Sequence, residues 1–227
     1  MRVWAAALLV MLASTSCAPP ALVTVSGPVK DLGDNGPLAG VAVCLQGRDQ
    51  CTQTDADGRY RLEDVPANSD LVLLLQADAY ALGLVPLSVA SSDHEVAPVS
   101  LGSTLLMELQ SGLIGADSIP GRGQLVFGVS NGIAGDGINV PEITAALEPP
   151  SGDGPFYTTP AGLPNTQLRA TSVNGSGVMV NLEPGRFTLN LSGLPNGCTM
   201  VLGWGEPQAI EFEVMADRVS YIRIECL

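Results

Sequence analysis

TDADGRYRLEDVP, residues 54–66, is the stretch that decides the fold of this chain. Asp and Gly are concentrated at its start, and Gly58 is free to adopt the positive φ that a tight turn requires. After the turn, Tyr60 and Leu62 alternate with charged residues, which is typical of a strand with one buried face. The stretch therefore predicts a hairpin turn followed by a half-buried strand that ends at Pro66.

The sequence on both sides of this stretch also predicts strands. Upstream, PLAGVAV (37–43) enters a strand after a turn, and downstream LVLLL (71–75) is continuously apolar, as in a central strand. Similar runs recur about every eight to twelve residues, which is typical of a β-sandwich. Apolar and polar residues alternate clearly in TLNLS (188–192) and YIRIE (221–225).

The order of these elements over residues 22–101 resembles the carboxypeptidase regulatory-like domain. That family has the pattern P-L-x-G-V-x-V followed by T-D-x-x-G-x-Y, and its fold is a seven-stranded Greek-key sandwich akin to transthyretin and to CnaB modules. Here the family's initial G-x-V is blurred and its closing Pro-Pro-Gly-x-Tyr is replaced by PANSD (66–70). The resemblance implies a fold and no activity, because in carboxypeptidases the zinc site belongs to a separate domain and no HxxE motif occurs here.

The second half repeats the pattern weakly. GQLV (123–126) resembles its opening, and NGSGVMVNLEPGRFT (174–188) resembles its later part. We therefore expect a second, diverged β-sandwich over residues 123–227; an unrelated sandwich is the alternative.

A connector over residues 103–122 separates the halves. In STLLMELQSGLIG (103–115), Ser103 can cap a helix and four leucines (Leu105, Leu106, Leu109 and Leu113) recur at helical spacing, so we expect a short packed helix, with a strand as the alternative. The predicted fold is all-β, with two Greek-key (prealbumin-like) β-sandwich domains, 22–102 and 123–227, joined by a short helical connector.

Composition excludes some classes of function. Hydrophobic residues make up 46% of the 227 residues and charged ones 15%, which is apolar enough to bury a core. The net charge of −13 disfavours binding to nucleic acid, whose backbone attracts basic proteins. No cofactor or metal site is expected.

The N-terminus predicts export. Residues 1–16 form a signal peptide, in which Arg2 precedes an apolar run too short to cross about 30 Å of hydrocarbon. Cys17 follows three small residues and resembles the lipobox cysteine of bacterial lipoproteins, although Ser14 occupies the usual leucine position. The resemblance implies lipidation at Cys17, a tether over residues 17–21 and an outer-membrane location, since Ala18 is not the Asp of inner-membrane retention. Ordinary cleavage and secretion as a soluble protein is the alternative.

Four cysteines remain after Cys17. An even number of cysteines in an exported chain predicts disulfides. Three pairings exist, and the local pairs Cys44–Cys51 and Cys198–Cys226 are the simplest. Loop closure would then contribute roughly 2.5 and 3.6 kcal/mol respectively. A zinc site is disfavoured because no CxxC occurs and the single histidine, His94, is remote from each cysteine pair in the sequence.

Three further motifs each have a structural explanation. Gly128-Val129-Ser130-Asn131-Gly132 matches G-x-S-x-G, but a nucleophile elbow needs a later histidine and His94 precedes it. Asp55-x-Asp57-Gly58 resembles the start of a calcium loop, with Asp64 at the closing position, yet a hairpin turn explains it. Lys30 could form an isopeptide bond as in CnaB relatives, but the strands expected to face it lack the Asn and Glu that this bond requires.

Trp204 is the candidate ligand contact. Starch-binding relatives use exposed aromatic rings as sugar platforms, although Trp204 could equally pack against the sandwich. The sequence therefore predicts a non-enzymatic, lipid-anchored cell-envelope protein with a structural, adhesive or protein-interaction role. A carbohydrate- or peptidoglycan-binding module is the alternative, and the expected partners are the membrane, through the lipid, and an envelope protein or glycan.

Overall fold

The computed structural model describes residues 21–131 and 139–227. Cys17, the predicted signal peptide and Gly132 lie outside these residues. The described part of the first half and the connector forms the following elements: β1 (Leu22–Asp31), β2 (Ala42–Leu45), β3 (Cys51–Gln53), β4 (Arg59–Pro66), β5 (Ser69–Gln76), β6 (Leu82–Val89), β7 (His94–Glu95), β8 (Val99–Leu101) and α1 (Thr104–Ile114).

The described residues of the second half form strands and no helix. The strands are β9 (Gly123–Asn131), β10 (Thr144–Glu148), β11 (Asp153–Thr158), β12 (Pro164–Asn165), β13 (Ser176–Leu182), β14 (Gly185–Ser192), β15 (Cys198–Leu202), β16 (Trp204–Glu206), β17 (Ala209–Val214) and β18 (Arg218–Cys226). The all-β class is confirmed.

The strands of the described residues form three sheets. The front sheet has the order β4-β1-β7, and β8 also pairs with β1. The back sheet has the order β10-β14-β17-β16. Between them, the ten-stranded central sheet runs β12-β11-β13-β9-β18-β6-β5-β2-β3, with β15 beside β18. Since β5 pairs with both β2 and β6, the prediction of a central strand at residues 71–75 is confirmed.

The last strand, β18, joins the two halves. It pairs in parallel with β6 over Arg218–Ser220 and with β9 over Val219–Cys226. Helix α1 is therefore not the sole link between the halves, because one hydrogen-bonded sheet runs through both. The sequence did not predict this pairing.

Alternation along β18 places the front and back sheets on opposite faces of the central sheet. Val219 and Tyr221 pack into the core beneath the front sheet. Ile222 and Ile224 pack into the core beneath the back sheet. Successive side chains of a strand point to opposite faces, so this one strand contributes to both cores.

The two halves share one strand order. The first strand of each half, β1 or β9, has an antiparallel neighbour on one side (β4 or β13) and the last strand of its half in parallel on the other (β8 or β18). The facing sheets are also equivalent, because β2-β5-β6 and β10-β14-β17 are both antiparallel. The second half thus repeats the Greek-key arrangement of the first.

The turn after β3 is confirmed, but the predicted hairpin is wrong. β3 pairs with β2 in the central sheet, whereas β4 pairs with β1 in the front sheet. Residues 54–58 therefore cross from one layer to the other, and we call them the first arch. Alternation alone could not distinguish this crossing from a hairpin, because both need a tight turn between two strands.

Hydrogen bonds explain the residue types of the first arch. The buried Thr54 hydroxyl accepts from the Val41 amide at 2.9 Å and donates to the Leu38 carbonyl at 2.7 Å. Asp55 accepts from two backbone amides of the turn, at 2.9 Å each. Gly58 has φ +71°, and a Cβ there would lie 2.6 Å from the Val29 carbonyl oxygen.

A second arch, residues 171–175, repeats these bonds. The buried Thr171 hydroxyl accepts from the Ile143 amide and donates to the Val140 carbonyl, both at 2.9 Å. Gly175 has φ +69°, and its added Cβ would lie 2.3 Å from the Val129 carbonyl oxygen. The two arches therefore serve the same purpose in their respective sandwiches.

At one equivalent cross-strand pair, each half combines a glycine with an aromatic residue, but the aromatic residue lies on opposite strands in the two halves. Gly27 faces Tyr60 in the first half, and Phe127 faces Gly177 in the second. A Cβ on Gly177 would lie 2.5 Å from the Phe127 Cζ atom. Each site has room for one ring, which is supplied by opposite strands in the two halves.

Helix α1 begins and ends where the sequence predicted, but it buries a different face. Ser103 accepts a hydrogen bond from the Leu106 amide as N-cap, and Gly115 ends the helix in the left-handed conformation. The buried residues are Met107, Ser111 and Ile114. Of the four leucines expected to pack, Leu106 is half-buried, while Leu105, Leu109 and Leu113 are 76%, 59% and 51% exposed. Within the described residues, no helix has the length and apolar character to cross a membrane.

Both local disulfides are present. Cys44 and Cys51 lie directly opposite each other on β2 and β3, and Cys198 and Cys226 do so on β15 and β18. Their Cα atoms are 4.0 and 3.8 Å apart respectively. Since disulfides persist in oxidising compartments, this cysteine usage supports an exported protein.

Candidate binding groove

An open groove lies on the front face of the central sheet, where the front sheet stops covering it. Its volume is about 290 Å³. Pro98, Val99 and Ser100 of the front-sheet side form one wall, and side chains of β9 and β18 form the floor. The groove exists because the front sheet is centred over the first half, whereas the central sheet continues into the second.

The floor is apolar at one end and has a gap at its centre. Val126 lies opposite Tyr221, and the next outward position, Gly128, lies between Arg223 and Ser176 on the neighbouring strands. An added Cβ on Gly128 would meet no atom within 4 Å. A side chain of an occupant can therefore fill the space above Gly128 without displacing the protein.

The wall formed by β8 is a strand edge. β8 pairs in parallel with β1 from Val99 to Leu101. Within residues 21–131 and 139–227, it has no strand partner on its other side. Backbone groups along such an edge are available to an additional strand.

Among the described residues that line this groove, Arg223 is the single charged one. Its guanidinium donates to the Ser130 hydroxyl at 3.4 Å and to the Pro98 carbonyl at 3.5 Å, and it lies 3.2 Å from a Glu225 carboxylate oxygen. These contacts hold a positive charge at the centre of the groove. Burial raises the pKa of the neighbouring Tyr221 hydroxyl, which therefore stays neutral.

The G-x-S-x-G stretch contributes to this groove and not to a nucleophile elbow. Ser130 lies in β9, where its hydroxyl contacts Arg223 and lies 3.4 Å from the Ile224 carbonyl oxygen. His94 begins β7 in the front sheet, opposite Val25, and contributes no hydrogen bond to Ser130. Within the described residues, His94 is therefore not placed as a general base for this serine.

Trp204 is not an exposed platform for sugars. It borders a separate cavity with Arg186 and Glu211, and a ligand contact there stays a prediction. The Trp204 side chain is buried, and its indole N–H donates to the Leu87 carbonyl at 3.2 Å. The Arg186 guanidinium lies 5.4 Å from the ring centroid and covers it. The indole instead packs between the halves, against Val72 and Leu84.

The remaining polar candidates lie in turns and strands at separate positions. The Asp55 carboxylate is occupied by amides of its own turn, while Asp64 lies in β4 with φ +57°. Lys30 lies in β1 opposite Ser100 and Pro37. Across the part of the chain that the structure describes, no three His, Cys, Asp or Glu residues are grouped as metal ligands.

Asp31 and Tyr80 form a separate polar contact at the end of β1. The tyrosine hydroxyl donates to the carboxylate. This hydrogen bond lowers the pKa of Asp31 and raises the pKa of Tyr80. It fixes the loop between β5 and β6 to β1, close to the start of α1.

A protein-family comparison identifies the same domain as the sequence pattern around the first arch. Residues 24–101 match the carboxypeptidase regulatory-like domain. The match covers less than half of the chain and contains the first arch, β8 and most of β1. It confirms the sequence resemblance, which was drawn over residues 22–101. No curated protein matches the chain.

Several solved structures are similar over much of the chain. The Bacillus anthracis TIE protein is 11% identical, with 91% of this chain and 34% of that chain covered and a TM-score of 0.30. This chain thus spans about a third of that protein. A minor pilin of Streptococcus agalactiae is 11% identical, with coverage of 90% and 96% and a TM-score of 0.29. A type II cohesin–X-dockerin complex from Acetivibrio cellulolyticus is 18% identical, with coverage of 51% and 81% and a TM-score of 0.33.

The sequence did not identify the groove. Its wall and floor come from β8, β9 and β18, which are far apart in the chain. One signal was present, because a glycine inside a strand often marks a close approach of another group. Gly128 is such a glycine, but the G-x-S-x-G pattern drew attention to Ser130.

Proposed function

We propose that the protein is a non-enzymatic, lipid-anchored component of the cell envelope that binds another protein. The open groove beside the free edge of β8 is the observation that carries the interaction role. The Asp55 carboxylate and the Ser130 hydroxyl, which resemble parts of a calcium loop and of a nucleophile elbow, have structural partners instead. The two disulfides support the exported location.

The shared central sheet suits this role. Two sandwiches joined only by a connector could change their relative orientation, whereas the hydrogen bonds of β18 to both β6 and β9 fix it. The groove lies at this junction, so its wall and floor keep a constant geometry. A rigid site loses little conformational entropy when it binds.

Anchoring is tested at Cys17. Cells that express the protein are given an alkyne fatty acid, and incorporation is compared between the wild type and Cys17→Ala. We expect label in the wild type only, together with release of the variant from membranes. Equal labelling of the two proteins would exclude the anchor.

The interaction role is tested by photo-crosslinking in intact cells. One crosslinking amino acid replaces Ser100 in the groove wall, and a second replaces Asp57 in the exposed first arch as the matched control. We expect a discrete adduct with an envelope protein from position 100. If neither position, nor any other exposed position along β8, gives an adduct, the interaction role is refuted.

A further inference from the structure

We propose that the groove binds an extended peptide segment of an envelope protein, which adds to β8 as a parallel or antiparallel strand. An apolar side chain of this segment fills the space above Gly128, and an acidic side chain reaches Arg223. This inference rests on the proposed interaction function and specifies how the partner is recognised.

The free edge of β8 determines the backbone conformation of the occupant. Strand addition supplies main-chain hydrogen bonds at an exposed sheet edge, while pockets for alternate side chains supply specificity. Neighbouring strands lie about 4.8 Å apart, which places an added strand over the groove floor. The outward amide and carbonyl groups in this region, centred on Ser100, are the expected partners.

The space above Gly128 determines one side chain. The glycine has no Cβ contact within 4 Å, while Val126 and Tyr221 form an apolar floor beside it. Most outward positions of a strand in a sandwich carry a side chain, and a glycine there weakens the strand unless another group approaches. An inward-facing apolar residue of the peptide would restore the missing packing.

The charge of the groove determines the second side chain of the bound peptide. The chain as a whole is acidic, with a net charge of −13. Among the described residues that line the groove, however, the one charged side chain is the basic Arg223. Its contacts with Glu225, Ser130 and Pro98 leave some of the five guanidinium N–H donors available, and such a planar group suits a carboxylate. An acidic side chain is therefore attracted to this groove but repelled by the rest of the surface.

The test begins with a displayed library of random linear 12-residue peptides, selected on the purified, oxidised full-length protein. Peptides that bind are measured against Gly128→Ile, which fills the space, and against Gly112→Ile, the matched control. Gly112 lies in α1 away from the groove and is also free of contacts within 4 Å. We expect at least a tenfold loss of affinity for Gly128→Ile, equivalent to about 1.4 kcal/mol, and no loss for the control.

Two further measurements identify the binding mode. Arg223→Gln and replacement of the peptide's acidic residue by its amide should each weaken binding, and the two losses should not add, because they remove the same contact. Hydrogen exchange at the Ser100 amide should slow when peptide is bound. Gly128→Val replaces Gly128→Ile if the larger side chain lowers the melting temperature.

Three results would overturn the inference. They are failure to select any peptide, equal binding to Gly128→Ile and the wild type, and unchanged exchange at Ser100 in the complex. The photo-crosslinking experiment in cells distinguishes failure of the peptide-binding mode from failure of the proposed interaction function. An adduct formed only outside the groove would retain the interaction role and exclude the peptide mode.

Discussion

The two arch threonines offer a quantitative test of the repeated architecture. Replacing Thr54 by valine preserves the shape of the side chain but removes the hydroxyl that bridges the Val41 amide and the Leu38 carbonyl. The Thr54 side chain and Val41 are buried, although the arch that carries Thr54 is mostly exposed. Thr171→Val removes the same bridge in the second half.

The magnitude follows from these two backbone groups. A buried polar group that loses its partner costs about 1–3 kcal/mol. Each variant leaves one amide and one carbonyl unpaired, and the added methyl group recovers part of the loss. We expect each substitution to lower the free energy of unfolding by about 2–4 kcal/mol.

The assay is urea denaturation with both disulfides intact, followed by circular dichroism. Thr144→Val is the matched control, because Thr144 begins β10 and is exposed to solvent. It should change the free energy of unfolding by less than about 0.5 kcal/mol. The double variant Thr54→Val with Thr171→Val should show the sum of the single effects, since the two sites share no partner.

Equal stability of an arch variant and the Thr144→Val control would refute this reasoning. A large effect at Thr54 with none at Thr171 would show that the repeated hydrogen bonds do not reflect equivalent energetic roles.

Three other substitutions or measurements test the packing and the pH dependence. Gly177→Ala should destabilise the protein by about 1–3 kcal/mol through its clash with the Phe127 ring, and Phe127→Leu should relieve most of that loss in thermal melts. Trp204, the single tryptophan once residues 1–16 are removed, should emit at short wavelength and resist iodide quenching; efficient quenching of the native protein would contradict its burial. The lowered pKa of Asp31 means that its ionised form stabilises the fold above the ordinary carboxyl pKa of about 3.9, and that this contribution is lost as the pH falls through the lowered value. The difference in melting temperature between the wild type and Asp31→Asn should therefore be largest near neutral pH and shrink below about pH 4, and a difference that grows in acid would exclude the Tyr80 contact as its cause.

Local sequence patterns predicted most strands because their physical causes are local. The alternation in RYRLE indicates a strand with one buried face, and the continuous LVLLL run indicates that both faces of β5 are buried. The two disulfides could also be predicted from the sequence, because each joins neighbouring strands within one half.

Helix α1 shows where a pattern was misleading. Leucine spacing predicted a packed face, but the helix lies on the central sheet through Met107, Ser111 and Ile114. Apolar periodicity identifies a helix and its stripe, whereas the neighbouring surface decides which face it covers. Leu105, Leu109 and Leu113 consequently remain exposed.

The sequence alone indicated the sandwich class of this protein, the tight turn at residues 54–58 and the simplest pairing of its cysteines. Turn chemistry, alternation and short loops act between residues that are close in the chain, so their outcome can be inferred from neighbouring letters. Tertiary structure decided that Trp204 is buried and that β18 completes one sheet with strands from both halves. It also decided that Gly128, Arg223 and β8 meet in one groove, because parallel pairing between distant strands leaves no local signal.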